Sequence, residues 1–95
     1  MRNMVVAGGQ LGPISRDETK ASAVNRMIAL MHQAASRGAQ LIVYPELALT
    51  TFFPRWWVEN KTDFDHMFER EMPNKDVSPL FEASKKLKIA FHLGY

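Results

Sequence analysis

The chemistry this chain could support converges on one carboxylate. Glu46 lies in the run Leu41-Ile42-Val43-Tyr44-Pro45-Glu46-Leu47-Ala48-Leu49-Thr50-Thr51, with apolar residues crowding both sides. A charged group in such surroundings costs desolvation free energy unless the charge is used, which makes Glu46 a candidate proton-transfer group. The flanking Leu47-Ala48-Leu49 would limit water and raise the carboxyl pKa toward a useful range. The bland alternative is a glutamate bonded to backbone amides or to an arginine, and spacing alone leaves both open. The chain contains no cysteine, which excludes disulfides, thiolate metal sites and a thiol nucleophile within these residues. An acid without a partner nucleophile reads as part of an active site whose nucleophile lies elsewhere.

The other candidates are weaker. Gly8, Gly9 and Gly12 follow one apolar run and precede a helical pattern, but neither dinucleotide nor P-loop spacing is present, so a tight turn with close backbone packing is the better reading. His32, His66 and His92 are too far apart to form a metal-ligand pair in sequence. His66 lies three residues from both Asp63 and Glu69, which predicts surface ion pairing. His92 falls on the opposite strand face from Phe91 and Leu93. Asp63, Asp65, Glu69 and Glu71 do not follow a calcium-loop pattern. The stretch Phe52-Phe53-Pro54-Arg55-Trp56-Trp57 either walls a pocket or meets another subunit, or else folds onto its own core.

Positioning Glu46 requires a strand that ends just before it. Met4 to Gly9 reads as a buried strand, and Gln10 to Arg16 as a loop. Asp17 to Arg37 shows helical period. Ala21, Val24, Ile28, Met31 and Ala35 form its stripe, Met27 and Ala34 flank it, and Arg26 and Gln33 face away. Asp17 and Glu18 suit its start, and Gly38 is a natural left-handed cap. Leu41 to Tyr44 is the next strand, terminated by Pro45, which cannot donate to a sheet ladder. The order strand, helix, strand is a βαβ unit with parallel strands. In open α/β sheets ligand sites gather beyond the carboxyl ends of strands, which is where Glu46 falls. Further on, Phe64, Met67 and Phe68 suggest one or two helical turns. Ser78 and Pro79 open a helix as capping hydroxyl and first-turn proline, with Leu80, Ala83 and Leu87 as its stripe. Ile89, Phe91, Leu93 and Tyr95 alternate as a strand does. Nearly continuous apolar strands imply cover on both faces. Few helices remain to supply it, so residues 1–95 read as one incomplete α/β domain or one completed by a partner, the bland alternative being a small complete α/β domain.

Composition narrows the class. With 95 residues, 46% apolar and 23% charged, the chain is an ordinary globular one. Its net charge is +2, and the basic residues are scattered apart from Lys85, Lys86 and Lys88 at a helix end, which argues against nucleic acid as partner. No run approaches a membrane span, and the start is too short in apolar residues for a signal peptide. Asn60-Lys61-Thr62 is therefore a chance sequon, and a cytoplasmic protein is the simplest reading.

Val5 to Gln10, the helix end Ala34-Ala35-Ser36-Arg37-Gly38, and above all Leu41 to Leu47 resemble the start of the nitrilase superfamily of carbon–nitrogen hydrolases. Pro45 to Trp56 is similar to one branch, the N-carbamoyl-D-amino-acid amidohydrolases, as are Glu71-Met72-Pro73, Pro79-Leu80-Phe81-Glu82 and Leu93-Gly94-Tyr95. The resemblance implies the amino-terminal portion of an α-β-β-α four-layer sandwich working as a homo-oligomer. It also implies a Glu-Lys-Cys triad in which Glu46 matches the glutamate. The lysine, the cysteine and the residues holding the substrate carboxylate would all lie beyond Tyr95. The implied reaction hydrolyses an N-carbamoyl-D-amino acid to the D-amino acid, carbon dioxide and ammonia, with no metal or organic cofactor. The alternatives are another carbon–nitrogen hydrolase, such as an aliphatic amidase, and a non-catalytic binding or assembly module.

Overall fold

The computed structural model describes residues 2–95. Strand β1 (Val6–Gly8), helix α1 (Lys20–Ser36), strand β2 (Leu41–Val43), helix α2 (Ser78–Leu87) and strand β3 (Ala90–His92) follow one another, with two 3-10 segments, Phe53–Arg55 and Lys61–Met67, between β2 and α2. The three strands form one parallel sheet in the order β1-β2-β3. The βαβ unit expected from the sequence is therefore present, and α2 builds a second one onto β2.

α1 starts later than its acidic residues suggested. Thr19 is the N-cap, its hydroxyl accepting from the Ser22 N–H at 3.1 Å, while Glu18 is drawn instead to Arg26 and Ser22. The C-terminus matches the expectation. Gly38 has φ +83°, and the amides of Gly38 and Ala39 donate to the carbonyls of Ala35 and Ala34. This closes the helix in a Schellman motif that a left-handed residue makes possible. The buried stripe is Ala23, Val24, Met27, Met31 and Ala34. It is rotated from the predicted one, leaving Ala21 exposed and Ile28 and Ala35 half-buried, because α1 must face the sheet and α2 together.

The register places Val6, Leu41 and Ala90 in one row, Ala7, Ile42 and Phe91 in the next, and Gly8, Val43 and His92 in the third. Side chains alternate across a strand, so the middle row faces one side and the outer rows the other. Ile42 is 1% exposed, whereas Val6 is 53% and Val43 38% exposed. The expectation of cover on both faces is thus corrected: helices cover one face only. The reason is topological. Two right-handed crossovers that advance in the same direction place both helices on the same side of the sheet, and α1 and α2 do pack against each other.

α2 also starts differently from the expectation. Val77 occupies the N-cap, and Ser78 and Pro79 are already helical. No side chain caps α2; Asn74 orders the turn before it, its Oδ1 accepting from the amides of Asp76 at 3.0 Å and Val77 at 3.1 Å, while the Ser78 hydroxyl donates to the Asn74 carbonyl. Lys88 ends the helix in the left-handed region at φ 55°. The strand is shorter than the expected alternation: around β3 Ile89 is buried and Phe91 and Leu93 half-buried, while Tyr95, beyond it, is exposed.

Candidate active site

The chain leaving β2 is fixed on both sides of Glu46. The Tyr44 amide donates to the His92 carbonyl at 3.1 Å, and the Ala48 amide donates to the Gly94 carbonyl at 3.0 Å. Pro45 and Glu46 therefore ride on the extension of β3. Between the two bonds the backbone approaches closely: a Cβ on Gly94 would lie 3.3 Å from Glu46 Cα. The next residue, Leu47, has φ 52°, a left-handed conformation that costs a non-glycine residue about 1–2 kcal/mol. Such conformations persist where surrounding structure holds them, and they cluster at functional sites. Tyr44 anchors the start of the turn. It is 3% exposed, and its hydroxyl donates to the Met27 carbonyl at 2.7 Å. Burial pushes this phenol well above its ordinary pKa of 10.0. Gly9 makes room for the ring, since a Cβ there would sit 2.9 Å from Tyr44 Cδ1. This is the close packing predicted for the glycine turn.

Glu46 itself is exposed. The apolar residues around it do not bury it, because Ala48 and Leu49 turn into the core beneath and Leu47 is only half-buried. The desolvated setting expected from the sequence is therefore not built by these residues. The side chain lines a cavity of about 150 Å³ at the carboxyl end of β2, shared with Leu11, Gly12, Pro13, Phe52 and Arg55. The ion pairs among the described residues are Lys20–Glu69 and Arg26–Glu18, so no arginine neutralises Glu46. The arginine-bonded alternative therefore lacks its partner.

Several residues that shape this cavity carry no signal in the sequence. Arg26, expected to face away, reaches over the loop preceding α1 instead. Its Nη1 donates to Glu18 Oε1 at 2.8 Å and to the Pro13 carbonyl at 3.2 Å, and its Nη2 donates to the Leu11 carbonyl. Arg55 brings a cation to the cavity rim, its Nε held by the Phe52 carbonyl at 3.2 Å. Leu47 looks like an ordinary apolar residue, and its positive φ appears only in three dimensions. Gly94 could have been suspected from its glycine identity, but its partner could not.

The remaining candidates fall outside this arrangement. His66 makes no ion pair with Asp63 or Glu69; the surface pairing expected there is replaced by a Lys20–Glu69 contact of 2.7 Å in which the Glu69 side chain is 6% exposed. That Glu69 also accepts from Asn74 Nδ2 at 2.6 Å, so it ties the segment before α2 to the start of α1. His32 and His92 are both exposed. Among the described residues no group of three metal-ligating side chains comes together. No helix among them is long and apolar enough to cross a membrane. The aromatic stretch divides. Phe53 and Trp56 pack on Phe64, with centroids 5.1 and 6.4 Å away, and Arg16 lies 4.9 Å over the Trp56 ring. Phe52 instead lines the Glu46 cavity, and Trp57 is 83% exposed.

Residues 5–95 match the family model described as carbon-nitrogen hydrolase. The match takes in all three strands, both helices and Glu46.

Proposed function

The chain belongs to the carbon–nitrogen hydrolase family, and from that premise we propose that Glu46 is the proton carrier in hydrolysis of an N-carbamoyl-D-amino acid. The observation that carries this reading is the placement of Glu46: an unpaired carboxylate beyond a parallel strand, at the edge of a cavity and followed by a left-handed residue. With no cysteine among the 95 residues, the nucleophilic thiol comes from polypeptide outside them. None of the chain's lysines lines the cavity, so the triad lysine is assigned there too. Further polypeptide also supplies the exclusion of water that the exposed Glu46 lacks. The working enzyme is read as a homo-oligomer.

The steps are those of thiol acyl transfer. Glu46 accepts the thiol proton as sulfur attacks the carbamoyl carbon, and the lysine and backbone amides stabilise the tetrahedral oxyanion. The C–N bond to the amino acid breaks, and the amine leaves with the proton that Glu46 returns. A water then gives its proton to Glu46 and attacks the carbamoyl thioester. The thiol is restored, and carbamate departs to decompose into carbon dioxide and ammonia.

Arg55 supports an N-carbamoyl amino acid over a simple aliphatic amide, because a guanidinium at the cavity rim suits a substrate with a carboxylate. Other residues outside this chain would share that contact. Two measurements on the complete enzyme test the proposal. Glu46→Gln, nearly isosteric, is expected to keep the fold by circular dichroism while kcat falls roughly 10²–10⁴-fold, the usual worth of a positioned acid–base group. Comparable turnover in variant and parent removes Glu46 from the reaction. Comparison of N-carbamoyl-D-amino acids with aliphatic amides decides the substrate class, and a preference for the amides defeats the carbamoyl reading.

A further inference from the structure

The loop between β1 and α1 forms one wall of the Glu46 cavity through Leu11, Gly12, Pro13 and Ile14. A glycine and a proline in succession, without a sheet ladder, do not hold a wall by themselves. Leu11 is buried in the core and Ile14 packs against it, and one guanidinium ties down the backbone carbonyls between them. Arg26 donates to two loop carbonyls, Leu11 and Pro13, and to both oxygens of Glu18 at 2.8 and 3.0 Å. Glu18 is itself steadied by the Ser22 hydroxyl at 3.1 Å, and its side chain is 15% exposed. Gly12, at φ +77°, is part of the same fit, since a Cβ there would lie 3.4 Å from Arg26 Nη2. An arginine suits this place because its planar fork can serve several acceptors at fixed angles, which a lysine ammonium cannot reproduce. The bonds run from α1 to the carbonyls of Leu11 and Pro13, and Arg26 itself does not line the cavity.

We propose that Arg26 and Glu18 form a latch that fixes this wall of the Glu46 cavity and so sets which substrate side chains the site accepts. Both are positioning residues; neither lines the cavity. The inference rests on the reading of Glu46 as the site of hydrolysis. A loosened wall changes the fit of the substrate's side chain and leaves the proton transfer at Glu46 intact. The effect therefore falls on KM, unequally for large and small substrates.

The test uses the complete enzyme with N-carbamoyl-D-alanine and N-carbamoyl-D-phenylalanine. The measured quantity is the ratio of their kcat/KM values, which is indifferent to how much of a variant is folded. Arg26→Gln and Glu18→Gln are each expected to change this ratio by about five-fold or more, within the range that small misfits in a pocket produce, mainly through KM. Arg26→Lys, which can keep the Glu18 contact but not both carbonyls, is expected to fall between them and the parent. Equal losses on both substrates, or no change in any variant, overturn the latch. Should Arg26→Gln not fold, Glu18→Gln and Arg26→Lys decide the matter. A parent that cleaves only aliphatic amides overturns the carbamoyl reading while the latch is judged by the same ratio for acetamide and valeramide. A parent inactive on both series overturns both.

Discussion

Gly94 leaves so little space beside Glu46 that one methyl group probes the whole turn. Its added Cβ, 3.3 Å from Glu46 Cα, requires the neighbouring backbone to give by a few tenths of an ångström. Misplacing a catalytic group by about 1 Å can cost roughly 10²-fold, so Gly94→Ala is expected to lower kcat several-fold with little change in Tm. An unchanged kcat would show that the turn is softer than its bonds suggest. Tyr44 is the second probe. Tyr44→Phe removes a buried hydrogen bond to the Met27 carbonyl, at a cost of about 1 kcal/mol near neutral pH. The phenol's pKa is raised by burial above 10.0. Above that pH the unfolded chain releases this proton while the folded one keeps it, so the unfolded state binds fewer protons and stability falls as pH rises. The contribution is whole below pH 10.0 and is lost above it. Denaturant titrations from neutral to strongly alkaline pH should therefore give a flatter stability curve for Tyr44→Phe than for the parent. Glu46 was legible because a proline and a carboxylate at the end of an apolar run is an odd local pattern. Leu47 and Arg26 were not, because the left-handed turn of one and the loop contacts of the other depend on distant chain.

Among the elements, those with strong period and an unambiguous stop were legible. α1 ends where Gly38 says it should, since few residues but glycine accept φ +83° comfortably. Its start was misplaced because Glu18, which suits a first turn, has a better partner in Arg26. The start of α2 was misassigned for a similar reason: Ser78 is a good cap by type, but Asn74 reaches two amides from outside the helix. The end of α2 offers a prediction. Lys88 holds the left-handed position at φ 55° that glycine usually fills. Lys88→Gly removes that strain but adds freedom to the unfolded chain, and the balance is expected to stabilise the protein by about 0.5–1 kcal/mol. Urea unfolding would measure it. A destabilised variant would mean that the Lys88 side chain makes a contribution larger than its strain.

At the scale of the whole molecule the sheet is covered on one side only. The outward rows carry Val6 and Val43, exposed by 53% and 38%, and open strand edges flank them. Apolar faces and edges of this kind associate in water. Residues 1–95 expressed alone are expected to bind a hydrophobic dye and to scatter light as concentration rises. Replacing Val6 and Val43 together by threonine should reduce both signals without changing helix content. A monomeric chain that ignores the dye would show that the bare face is inert.

Local patterns in the sequence were enough to establish the strand and helix order, the parallel pairing of the first two strands and the glycine stop of α1. These depend on residues within a few positions of one another, where period, prolines and glycines act directly. Three things were decided only by the tertiary structure. Both crossovers advance in one direction, so one sheet face is left bare. Glu46 is set at a cavity by Gly94 and Leu47 and is not buried among its neighbours. Arg26 binds the carbonyls of Leu11 and Pro13, which line the same cavity. Each of these joins segments far apart in the chain, and the free energy that selects them comes from burial and hydrogen bonds that exist only once those segments meet.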